Sequence, residues 1–133
     1  MFLKDDDGRS LEINMNGRFD DEGWTVAEIC VRVPGFIAHY ATFVYVEDFR
    51  WFYNQLVQLK NNASKNAEFI TSEDGLHLNC ELQSTGRLDC KGRAKNDAGS
   101  ILEFHMSVEN QAIDNLLLQL ERLLKDYPVI GEP

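Results

Sequence analysis

Two kinds of apolar periodicity predict the fold class of this chain. Short runs in which every second residue is apolar read as half-buried strands, and two longer runs with apolar residues three and four apart read as helices. Gly- and Asp-rich turns punctuate the runs, and no long linker or low-complexity segment intervenes. The prediction is an α+β fold: a mostly antiparallel twisted sheet of about six to seven strands with two long helices packed on one face, built as two similar β-meander-plus-helix halves.

The clearest stretch lies in the second half. Leu76, Leu78, Cys80 and Leu82 alternate with His77, Asn79, Glu81 and Gln83, and the alternation resumes at Leu88, Cys90, Gly92 and Ala94. A three-residue Ser84-Thr85-Gly86 loop, with Gly86 in the left-handed position, sets Leu82 opposite Leu88 and Cys80 opposite Cys90. Leu102, Phe104, Met106 and Val108 make a third strand. Then Ile113, Leu116, Leu117, Leu120 and Leu124 fall on one helical stripe.

The first half is less regular. Phe2 to Lys4 reads as a short edge strand broken by Asp5-Asp6-Asp7-Gly8, and Leu11, Ile13 and Met15 mark a strand ending near Gly17. Phe19-Asp20-Asp21-Glu22-Gly23 is an acidic loop. From Trp24 to Val33 the apolar face switches, with Trp24 and Val26 on one side and Ile29, Val31 and Val33 on the other, so a bulge is expected near Ala27-Glu28. Pro34-Gly35 makes a turn into Phe36 to Val46, a run apolar on both faces that suits a mid-sheet strand covered on both sides. The helix covers one side; the other is open to a further layer, a second copy or a partner.

Asp48 is the expected N-cap of a helix from Phe49 to Asn61, with Phe49, Phe52, Leu56 and Leu59 buried, Tyr53 beside them, and Trp51 exposed off the stripe. Ala67 to Ser72 is the next strand, and Glu73-Asp74-Gly75 turns into the meander. The helix entries match, Val46-Glu47-Asp48 against Val108-Glu109-Asn110, with the apolar phases then offset by two residues. Tyr127-Pro128-Val129-Ile130-Gly131 is expected to stop the second helix and lie against the sheet edge.

At 133 residues with 44% hydrophobic content, the chain is expected to form one domain over 1–133. No apolar run approaches the roughly 20 residues of a membrane span, and the Met1-Phe2-Leu3-Lys4 start lacks a signal peptide's basic and apolar regions. The expected location is cytoplasmic, away from membranes. There the three cysteines, Cys30, Cys80 and Cys90, read as structural thiols, with a disulfide between the facing Cys80 and Cys90 as the alternative. A net charge of −9 argues against nucleic acid as a direct partner and suits a basic protein, whose approach it would accelerate.

Signatures of catalysis are absent: no Gly-rich phosphate loop, no G-x-S-x-G, no H-E-x-x-H and no C-x-x-C. Cys30 and His39 would face each other across the Pro34-Gly35 turn, with no third group apparent to orient the imidazole. His77 and His105 are expected on a polar sheet face, separated by a strand and too distant to share a metal. The carboxylate clusters sit in turns and lack calcium-loop spacing. No catalytic residue, metal or cofactor is therefore assigned. The candidate partner-binding residues are Asp20, Asp21, Glu22 and Trp24, where charge adjoins an aromatic anchor, and the exposed Trp51.

Several segments together resemble a known family. Val33-Pro34-Gly35-Phe36 is followed by Glu47-Asp48-Phe49-Arg50-Trp51-Phe52 opening a helix, then Ala67-Glu68-Phe69 and the Gly86 hairpin. Ile101-Leu102-Glu103-Phe104 then feeds Asn110-Gln111 and a Leu-rich helix ending in Tyr127-Pro128-Val129. Over nearly its whole length the chain resembles the WapI family of bacterial immunity proteins, encoded beside polymorphic or contact-dependent toxins. Asn110-Gln111 departs from the Asp-Gln of that pattern at a cap. The resemblance implies a non-catalytic protein that binds a cognate toxin C-terminal domain, nucleases among the toxin classes, and blocks it by occlusion. It carries over no binding residue, because the matching positions are turns, caps and core. The alternatives are a small acidic secretion chaperone and a ligand-binding domain, and a homodimer is compatible with the two-sided strand.

Overall fold

The computed structural model describes residues 1–126. The first half forms a meander of β1 (Phe2–Lys4), β2 (Ser10–Met15), β3 (Trp24–Val33) and β4 (Phe36–Tyr45), followed by α1 (Val46–Lys60). The second repeats it with β5 (Asn66–Ile70), β6 (Leu76–Leu82), β7 (Arg87–Lys95), β8 (Ile101–Glu109) and α2 (Gln111–Asp126). The α+β class and the two meander-plus-helix halves are as expected. The strands number eight and divide into two antiparallel sheets of four, sheet A in the order β1-β2-β3-β4 and sheet B in the order β5-β6-β7-β8. The segment expected to stop the second helix and lie against the sheet edge, Tyr127 to Gly131, lies outside the described residues.

Hairpin loops of one kind set the registers. Asp5 Oδ1 accepts the N–H groups of Asp7 and Arg9, and Asp20 Oδ1 those of Glu22 and Trp24, all at 2.9 Å. Each loop closes on a glycine with positive φ, Gly8 at 85° and Gly23 at 92°, where a Cβ would strain the backbone. The acidic clusters are thus first of all turn-builders. The Gly86 loop gives the expected register, Leu82 opposite Leu88 and Cys80 opposite Cys90. The Cys80 and Cys90 thiols are free and buried; the hydrogen bond between them, and then burial, push Cys80 well above the usual thiol range.

Three expectations are corrected. β3 pairs without interruption from Trp24↔Tyr45 to Val33↔Phe36, so there is no bulge at Ala27-Glu28. Ala27, Ile29 and Val31 face the core, and Trp24 and Val26 stay on the outer face as apolar residues outside it. β4 is an edge strand, not a central one. Asp48 lies inside α1, where its carboxylate accepts the Tyr45 N–H at 3.2 Å from the third helical position and also holds Ser72.

One core cluster draws on both sheets and both helices. Phe49 and Phe52 of α1 meet Phe69 of β5 at ring distances of 5.0 and 5.5 Å, and Phe19 lies 6.1 Å from Phe49. The helices run antiparallel, because Tyr53 donates to Glu121 and Lys60 pairs with Asp114. α1 packs on β5 and α2 on β1, so each half's helix covers the other half's first strand. The contact reaches the backbone. Gln55 Oε1 accepts the Glu68 N–H at 2.9 Å and its Nε2 donates to the Glu68 carbonyl at 3.0 Å. Gln119 does the same to Phe2, at 2.6 and 2.9 Å. Two of the four sheet edges are closed by a glutamine amide in this way.

Sheet B packs Phe104 over Gly92, its cross-strand partner, so closely that a Cβ at 92 would lie 2.0 Å from a ring carbon. Gly92→Ala should lower stability by about 1–3 kcal/mol through overpacking; a chemical-denaturation midpoint unchanged from wild type would contradict this packing. Between the sheets, Tyr40 of β4 donates to the Gly75 carbonyl at 2.6 Å, and burial pushes its phenol up to about 12. The folded protein holds this proton more tightly than the unfolded chain, whose tyrosine titrates near 10. Stability contributed by Tyr40 is therefore full below pH 10 and lost as pH rises toward 12. Tyr40→Phe should cost about 1 kcal/mol at neutral pH and flatten the alkaline fall; urea midpoints at pH 8 and pH 11 compare the two, and an equal fall in both proteins would refute the assignment.

Candidate functional site

Pleating gives each sheet one inward and one outward face, and the two outward faces differ in chemistry. Sheet B turns out Glu68, His77, Asn79, Glu81, Arg87, Asp89, Lys91, Arg93, Glu103 and His105, a chequerboard of both signs. His77 Nε2 lies 3.2 Å from Glu68 and His105 Nε2 lies 3.5 Å from Asp89. An open depression of about 480 Å³ there is lined by both histidines, Lys91, Arg93 and Glu103. Among the described residues, no group of three or more His, Cys, Asp or Glu side chains gathers as a metal site.

Sheet A turns out apolar and aromatic groups along β3 and β4. Trp24 and Tyr45 pair across the strands with their rings 5.0 Å apart, and Val26 stands opposite Phe43. Further along β4, Ala41 and Ile37 flank His39 and stand opposite Glu28 and Arg32 of β3; Phe43 is 57% exposed and Ile37 63%. The loop from Asp20 to Gly23 flanks the Trp24 end: Gly23 C=O accepts the Val46 N–H at 2.8 Å, and Gly23 lies against the Tyr45 ring. The result is an exposed aromatic face with carboxylates at one end, suited to binding a protein surface.

Four of the five candidate residues thus come together. Asp20, Asp21 and Glu22 sit on the loop that leads into Trp24, while Trp51, 70% exposed, stands on α1 between Asp48, which holds Ser72, and Gln55, which holds Glu68. No ring contact joins the two tryptophans. Phe43, Tyr45, Val26 and Ile37 complete the face and were not among the candidates. Their sequence signal is the apolar character of both faces of β4 and of Val26 on β3, which is also the pattern of a strand covered on both sides. Cys30 does face His39, and Glu28 takes the His39 Nε2 at 3.0 Å. Cys30 makes no hydrogen bond to that imidazole among the described residues, and all three stand on the outward face of sheet A.

The match to a family model is decisive for kinship. The description "Immunity protein WapI-like family" fits residues 1–128. The chain belongs to the WapI-like immunity family. No match is found among curated proteins. Two solved structures share the fold at a TM-score of 0.55 and 9% identity. One is a guide-RNA-binding protein complex bound to guide RNA, covering 94% of this chain and 88% of that one. The other is from the crystal structures of Trypanosoma brucei MRP1/MRP2, covering 95% of this chain and 83% of that one. At this identity the likeness is one of fold. Among the described residues no helix is long and apolar enough to cross a membrane.

The loop chemistry separates positioning from display. Asp20→Ala removes an acceptor for two loop N–H groups and should cost about 1–2 kcal/mol, whereas Asp21→Asn and Glu22→Gln should stay within about 0.5 kcal/mol of wild type. Urea denaturation of the three variants checks the split, and equal stability of all three would refute the role given to Asp20.

Proposed function

We propose that this chain is a cytoplasmic, single-domain immunity protein that binds and neutralises a cognate toxin C-terminal domain by covering its functional surface. Family kinship supports an immunity role, and the observation that carries the reading to a surface is the exposed aromatic row of sheet A with its carboxylate loop. Trp24, Tyr45 and Phe43 supply rigid aromatic anchors, the residue types that dominate interface energetics. Asp20, Asp21 and Glu22, on a chain of net charge −9, would steer a basic domain toward that end. Nucleases fit this description, since a protein that handles nucleic acid is typically basic. The chain acts by binding and performs no chemistry of its own.

Co-expression is the test. The toxin domain encoded beside this chain should arrest growth alone and lose that effect when the chain is co-expressed, and the two should purify as a complex. Association should slow about tenfold or more from low to high salt, the mark of electrostatic steering. Arrest that persists despite abundant folded protein would refute the immunity reading.

A further inference from the structure

The four sheet edges are not protected alike. In antiparallel strands the backbone groups that do not face the neighbour face outward, on every second residue. In the short strands β1 and β5 one outward residue each, Phe2 and Glu68, has both backbone groups taken, by Gln119 and Gln55, and Asn66 of β5 is held by Ser64, which leaves Lys4 and Ile70 at the strand ends. In β8 they belong to Ile101, Glu103, His105, Ser107 and Glu109, and the two carboxylates lie beside the edge, a charge placement that discourages further pairing. β4 has neither device. Its even residues face β3, as the two-residue turn at Val33↔Phe36 requires, and the Asn16 N–H to Val26 carbonyl bond places the even residues of β3 toward β2. The outward groups are those of Ile37, His39, Ala41, Phe43 and Tyr45, and the Tyr45 N–H is met by Asp48. The other four make no hydrogen bond beyond the sheet among the described residues. Phe36 to Tyr45 contains no Pro, Lys, Arg or carboxylate. The matching strand of the other half is charged, so the fold does not require this bareness.

We infer that β4 is the strand to which an extended segment of the toxin domain adds, continuing sheet A by backbone pairing along Ile37 to Phe43. This deepens the immunity reading and rests on it. The segment would be about five to seven residues long, matching a row of roughly 20 Å. Its alternate side chains would meet two apolar surfaces. One is the outer row of Phe43, Ala41 and Ile37. The other is a cleft of about 340 Å³ beside the first half of β4, lined by Phe36, Ala38, Tyr40, Ile101 and Leu102. Lys or Arg at the end near Tyr45 would meet Asp20, Asp21 and Glu22. That charge requirement, and the mutual repulsion of two chains each at −9, favour a basic partner over a second copy.

The test uses the full chain and the toxin domain encoded beside it. Ala41→Pro removes an outward N–H and leaves the β3 pairing intact, as edge proline does. It should weaken binding at least about tenfold with the denaturation midpoint nearly kept. Hydrogen exchange in the wild-type complex reads the same pairing without a substitution: the amides of Ile37, His39, Ala41 and Phe43 should slow on binding. A wild-type complex in which these four amides exchange as in the free chain would overturn the edge pairing and leave the immunity reading standing. A wild-type chain that neither binds nor protects would overturn both. A homodimer that Ala41→Pro dissociates, with toxin binding unchanged, would give the edge to a second copy and overturn the proposal as well.

Discussion

Two glutamine side chains lying along backbone that is not their own define how the halves fit. Gln55 and Gln119 are separated by the same stretch of chain as Phe49 and Ile113, or Leu56 and Leu120, so they occupy equivalent positions on equivalent helices. Each amide donates to and accepts from one residue of the opposite sheet's first strand. A primary amide is the side chain that can offer a donor and an acceptor together, as the next strand's peptide group would. The exchange ties each helix to the other half's sheet. It brings Phe49 and Phe52 onto Phe69 and leaves neither half with a complete core of its own.

The same exchange decides which edges remain. With β1 and β5 closed, β4 and β8 form the open boundary of the molecule. The two halves share an element order and differ in the side chains they turn outward. Sheet B carries balanced charge outward, with two of the three histidines set against carboxylates, whereas sheet A carries an aromatic row and an edge free of charged residues apart from the Glu28-paired His39. The fold fixes which positions face outward and leaves their identity free, so two sheets of one strand order carry surfaces of different chemistry.

Much of this was legible in the residues themselves. The period-two runs gave the inward faces of β6, β7 and β8, the Gly86 loop gave their register, and the helical stripes gave α1 and α2. The aromatic site was half legible, through Trp24 beside Asp20, Asp21 and Glu22. Periodicity says which residues share a face, but not whether that face is covered, and for this reason Trp24 and Val26 suggest a bulge and Phe36 to Val46 suggests a central strand. The division into two sheets and the edge position of β4 depend on pairings distant in sequence, which no local pattern encodes. Asp48 is a helix-start residue by type, but it stands at the third helical position and not at the N-cap, which is Tyr45; its carboxylate reaches back to Tyr45 and across to Ser72.

The unequal closing of the edges is the centre of this account, and residue-resolved amide exchange in the free protein measures it most directly. The Phe2 and Glu68 amides, each bound by a glutamine, should exchange slowly for edge positions, and those of Ile37, His39, Ala41 and Phe43 should exchange fast beside slow neighbours at Ala38, Tyr40 and Thr42. If the odd-numbered amides of β4 prove as slow as the even-numbered ones in the isolated chain, that edge is already occupied and the account is contradicted.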